Sequence, residues 1–156
     1  MCAAQQDSSS HENRSTPVRA FTPTDAQHIL AGSCELMPTT AQFPESLKSA
    51  FARLTRQNRF ALANPGDAYQ ETDVIKRQEL PSRRLIVAGK CQSFWFIHYE
   101  QGGIGHDYAL VFFRADSHSR LSFVWGGRGF TRAGTVAKLR GAIAAKLFSD
   151  DRSYYW

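Results

Sequence analysis

Two stretches decide the fold: Gln92-Ser93-Phe94-Trp95-Phe96-Ile97-His98-Tyr99-Glu100 and His106-Asp107-Tyr108-Ala109-Leu110-Val111-Phe112-Phe113-Arg114. Both are rich in aromatic and β-branched residues, and neither holds proline or an internal glycine, so each reads as a strand. In the first, Phe94 and Phe96 point one way while Trp95, Ile97 and Tyr99 point the other. In the second, Tyr108, Leu110 and Phe112 oppose Ala109, Val111 and Phe113. Both faces are apolar in both strands, which predicts a sheet centre covered on two sides.

Outward from this pair, Leu85-Ile86-Val87-Ala88 is a preceding strand closed by Gly89-Lys90, and Arg120 to Trp125 is a following one. A short strand is expected near Asp73 to Ile75. The covering layers come from helical patterns. Thr22-Pro23-Thr24-Asp25 opens a short helix, with Thr24 as its cap and Gly32-Ser33 as its end. Phe43-Pro44-Glu45 opens a second, in which Leu47, Ala50, Phe51 and Leu54 form an apolar stripe opposite Lys48, Arg53 and Arg56. A third begins after Thr131 or Thr135 and buries Val136, Leu139, Ile143 and Leu147. The expected fold class is α+β: an antiparallel β-meander of four or five strands, packed with an N-terminal helical segment and a C-terminal amphipathic helix. Residues 1–20 are polar and read as a disordered leader, leaving residues 21–156 as one domain.

The composition suits that size. The 156 residues are 42% hydrophobic and 21% charged, and eleven of the aromatic rings are Phe. The formal charge of +5 favours anionic partners, but the cations are scattered, which describes solvated faces better than a nucleic-acid surface. Cys2, Cys34 and Cys91 are far apart and form no CxxC pair, so neither a disulfide framework nor a zinc ribbon is expected. The expected setting is a reducing cytoplasm. The N-terminal region lacks an apolar secretory core, and no apolar run reaches membrane-spanning length. The aromatic end, Tyr154-Tyr155-Trp156, is expected to fold back on the core or dock on a neighbour.

Chemistry concentrates in His98-Tyr99-Glu100-Gln101-Gly102-Gly103-Ile104-Gly105-His106-Asp107. If Gly102-Gly103 is a two-residue hairpin turn, His98 faces Asp107, a carboxylate placed to orient an imidazole. A one-residue bulge would instead set His98 opposite His106. Enzymatic use of His98 and Asp107 would also need a nucleophile, and Cys91 and Ser93 lie on the other face of the strand. A metal site would need ligands beyond Glu100. A second candidate is Trp125-Gly126-Gly127-Arg128-Gly129-Phe130-Thr131-Arg132, where a glycine-rich turn before a helix would expose amides to an anion beside Arg128 and Arg132. It matches no phosphate-loop or dinucleotide pattern, and a tight strand-to-helix connection accounts for it better.

No cofactor or metal is implied. The leading expectation is therefore a non-enzymatic protein-binding module of the toxin-neutralising, immunity type. Its binding residues would be His98, Glu100, His106, Asp107, Arg128 and Arg132. The alternative is a small hydrolase or transferase using His98 with Asp107, and the third is a nucleic-acid-binding accessory protein.

Overall fold

The computed structural model describes residues 19–74, 77–150 and Tyr155. Residues 1–18 of the expected leader, Ile75 of the strand expected near Asp73 to Ile75, and Tyr154 and Trp156 thus lie outside the described residues, while Asp73 and Val74 do not lie in a strand. Helix α1 spans Pro23–Ala31 and strand β1 Cys34–Leu36; after a 3₁₀ turn at Thr40–Gln42, helix α2 spans Glu45–Leu54. Strands β2 (Arg83–Cys91), β3 (Phe94–Gln101), β4 (Asp107–Ala115) and β5 (Leu121–Gly129) follow, and helix α3 (Val136–Ala144) closes the order. The five strands form one antiparallel sheet in the order β1-β2-β3-β4-β5. The fold is α+β with a meander at its centre.

The two-sided apolarity of β3 and β4 has its counterpart in two separate cores. On one face, Ile97, Tyr99, Val111 and Phe113 pack with Leu47, Ala50 and Phe51 of α2, joined by Phe43, Leu62 and Tyr155. On the other, Phe96, Leu110, Phe112 and Trp125 pack with Ala26, Ile29 and Leu30 of α1 and with Leu139, Ala142 and Ile143 of α3. The helices after Phe43 and Thr131 supply covering layers as their stripes require, and α1 shares the second layer. Phe51 meets Tyr99 edge-on at 5.3 Å between ring centres, a favourable aromatic geometry.

Several local readings need correction. The cap of α1 is Thr22, not Thr24: its hydroxyl accepts from the Asp25 amide while the Asp25 carboxylate accepts from the Thr22 amide, a capping box. Thr135, rather than Thr131, caps α3. The strand expected to stop at Gly89-Lys90 runs on to Cys91, because β1 pairs there and Glu35 and Phe96 lie so close to Gly89 that a side chain would not fit. Leu147 falls outside α3 and is 45% exposed. Lys146 adopts a positive φ of 56°, which ends the helix and sends Phe148 inward in its place.

The largest departure is covalent. Cys34 and Cys91 face each other across β1 and β2, with Cα atoms 4.2 Å apart, and form a disulfide. Spacing along the chain hid it, because 57 residues separate two positions that the sheet makes neighbours. Among the described residues, no helix is long and apolar enough to cross a membrane.

Candidate functional site

The end of the sheet where β2 begins and β3 ends gathers most of the charged residues that the strands carry. Alternation along the strands divides them between the two faces. Arg83, Gln101, Asp107 and Arg128 belong to the α2 side, and Arg84, His98 and Glu100 to the α1–α3 side.

The expected His98–Asp107 pair does not form. The β3–β4 connection takes the whole of 102–106 rather than two glycines, so His98 pairs with Leu110 and Asp107 with Gln101. Gly102 donates to the Ser82 carbonyl at 3.1 Å and Gly103 to that of Glu71 at 3.3 Å, so these residues dock on a neighbouring loop. A Cβ on Gly102 would collide with the backbone of Gln70 and Glu71. Gly102 is needed for that close approach and Gly103 for its positive φ of 141°, not for a two-residue hairpin. The bulged alternative, His98 opposite His106, is likewise absent.

His98 is fully buried, and both ring nitrogens are engaged. Nδ1–H donates to the Ala109 carbonyl at 2.8 Å, and Nε2 accepts from the Ala133 amide at 3.1 Å. Because an amide can only donate, Nε2 must be unprotonated, which fixes a neutral tautomer. Burial pushes the imidazole down to about 4, with Arg132 adding to the effect. His98 is a neutral pin between the sheet and the segment leading into α3, with no nitrogen left for a substrate.

The carboxylate–imidazole contact belongs to Glu100 and His106 instead. Glu100 is buried at 4% exposure, and accepts from Arg84 Nε at 2.6 Å through Oε1 while Oε2 lies 3.0 Å from His106 Nε2. The Arg84 guanidinium also lies over the Tyr69 ring, 4.4 Å from its centre. Burial, with the Glu100 charge behind it, pushes the Tyr69 hydroxyl up to about 12. This arrangement neutralises a buried carboxylate and orients an exposed imidazole. Among the described residues His106 makes one hydrogen bond, donated to the Glu100 carboxylate, so no hydroxyl or thiol stands ready to be activated.

On the opposite face Asp107 is ion-paired with Arg128. Arg83, 2% exposed, donates to Gln101 Oε1 and to the Tyr155 carbonyl, each at 3.2 Å. Burial lowers its pKa, and the neighbouring Tyr99 opposes that effect. The glycine-rich candidate also changes meaning, since Gly126 to Gly129 lie inside β5 rather than at a helix start. A Cβ on Gly126 would come within 2.6 Å of the Tyr155 hydroxyl, and one on Gly127 within 2.7 Å of Phe148 Cβ. These glycines admit the C-terminal segment on both faces of β5, and α3 starts too far on to form the expected anion cradle. Arg132 stays at the surface.

The predicted binding residues thus separate: Glu100 with His106, Asp107 with Arg128, His98 inside the core, and Arg132 apart. Sequence reasoning missed Tyr69, Arg83 and Arg84. The adjacent Arg83-Arg84 at a strand start was a usable signal, because alternation sends one to each face. Tyr69 reaches the cluster only through the path of the loop before β2. Among the described residues no group of three potential ligands stands close enough to hold a metal ion.

Beside the exposed His106, this end of the sheet also exposes apolar side chains. Ile104, in the β3–β4 connection, is 92% exposed, and Phe130, one residue beyond β5, is 85% exposed. Val74, on the loop segment that meets Gly102 and Gly103, is 66% exposed. No family model, curated protein or solved structure matches the chain.

Proposed function

We propose that the chain is a non-enzymatic protein-binding module of the toxin-neutralising, immunity type, and that it binds through this end of the sheet. One observation carries the reading: Ile104 and Phe130 are held in water at 92% and 85% exposure, at the same end of a rigid sheet. Large apolar side chains that the core does not use, set beside internally paired charges, are the ingredients of a protein interface. The ion pairs behind them fix the frame, so little ordering would remain to be done on binding. A short projecting connection on a small rigid domain also suits the obstruction of a cleft on another protein, which is how an immunity protein silences a toxin.

An enzyme built on His98 and Asp107 draws no support from the geometry, since the two side chains serve different partners. The disulfide bears on the setting. A cross-link between paired strands persists where thiols are oxidised, which favours an oxidising compartment over the cytoplasm expected from cysteine spacing.

The test is recovery of a complex. Wild-type protein should capture a stoichiometric partner from the native host, and the I104D/F130D variant should lose it while keeping its thermal midpoint. Absence of any stoichiometric partner for the wild type would overturn the proposal.

A further inference from the structure

We infer that Phe130 and Leu147 form the apolar centre of a contact with an acidic protein surface; the inference rests on the protein-binding function proposed above.

The two residues come together through backbone pairing. Arg128 and Ser149 form an antiparallel bridge, with N–H···O bonds of 2.9 and 2.8 Å in the two directions. The ladder does not continue beyond that bridge, since the Leu147 amide donates to the Ala142 carbonyl at 2.9 Å, and Leu147 is brought beside Phe130 by its packing on Gly129. The contact between Gly129 and the Leu147 carbonyl, too close for any side chain at that position, shows that the two segments stay together. Phe130 is 85% and Leu147 45% exposed, so a pair built by the fold is left facing water.

The chain around this pair is rich in cations, with the exposed Asp150 as the nearest carboxylate along it. Residues 117–149 contain no Asp or Glu, and they carry Arg120, Arg128, Arg132, Lys138, Arg140 and Lys146. Arg128 is matched by Asp107. Arg132, Lys138, Arg140 and Lys146 are exposed, and none has an ion pair among the described residues. Arg132 and Lys146 lie within two residues of Phe130 and Leu147. An apolar centre with a cationic rim is complementary to an apolar centre with carboxylates around it.

Other polyanions fit less well. Single-stranded nucleic acid is held by stacking, and Leu147 offers no π face. The disulfide also favours a compartment where nucleic acid is not the usual partner. Two apolar side chains are too small an area to hold a lipid surface.

The experiment places the photo-crosslinker p-benzoylphenylalanine at position 130, and separately at 104, in the full-length chain within its native host. The expected result is an adduct from position 130 whose cross-linked peptide maps to an Asp- and Glu-bearing surface of one protein. That protein, once purified, should bind about tenfold more weakly to R132E/K146E, and more weakly as salt rises from about 50 to about 300 mM. The variant should keep the wild-type thermal midpoint. An adduct from 104 alone would overturn this inference and leave the sheet-end function standing. Silence at both positions would overturn both. A nuclease-sensitive adduct, a lipid adduct, or affinity indifferent to the charge reversal would each overturn the acidic-protein contact.

Discussion

His98 shows how a residue that invites a catalytic reading is spent on structure. Its imidazole is held neutral down to about pH 4, whereas an unfolded chain would protonate it near 6.5. Between those values the unfolded state binds a proton that the folded state refuses, so stability falls as pH drops through that window. The loss should approach 3 kcal/mol by about pH 4 and be absent above about pH 7. Urea midpoints measured against pH should show this slope in the wild type and a shallower one in H98Q. A slope unchanged by the substitution would place the linkage on other groups. The glycines of β5 give a second residue-scale test. Gly127→Ala forces a Cβ against Phe148 and should cost about 1–3 kcal/mol, read as a lowered thermal midpoint. Gly141→Ala, at an α3 position with open space around it, should be neutral or stabilising. At this scale the sequence drew attention to residues that do interact, but in other pairs. Glu100, His106, Asp107 and Arg128 were all candidates, but which one meets which depends on a connection length set by Ser82 and Glu71, far away in the chain.

Among the elements, those with strong periodicity were legible and those held by tertiary pairing were not. Strands β3 and β4 and helix α2 follow from their own residues, since apolar faces recur at strand or helix spacing. β1 has only three residues, two of them exposed, and no pattern to detect. It exists because β2 offers an edge and Cys91 a covalent anchor. That anchor closes a long loop, so removing it should destabilise the fold by about 2–4 kcal/mol. Urea unfolding with and without reductant should show the difference, and C34A/C91A should match the reduced wild type. Thiol titration of the denatured, unreduced chain should find one reactive thiol among its three cysteines. Three would mean that the cross-link does not form.

For the molecule as a whole, composition and patterning suffice for a two-layered core around one sheet, but a surface function is written mostly in what the fold leaves uncovered. Nothing about Phe130 or Ile104 in the sequence distinguishes them from core residues; only the path of the chain sets them outside. The sheet's two borders carry one more consequence. The outer border of β2 is occupied twice, by β1 along Gly89 to Cys91 and by Ala63, which bonds to Arg83 and Leu85 at 3.0 and 2.9 Å. The border of β5 is met at Arg128, by Ser149, and at Leu121, whose carbonyl accepts from Arg53 at 3.1 Å. Among the described residues, that border leaves the seam from Ser122 to Gly127 without a paired strand for addition by a second molecule. That seam is poorly suited to polymerisation: the β4–β5 register slips beside Val124, and cations flank it at Arg120 and Arg128. If fibrils form from this protein under stress, they should begin at β5, where protection against hydrogen exchange would be lost before that of β2.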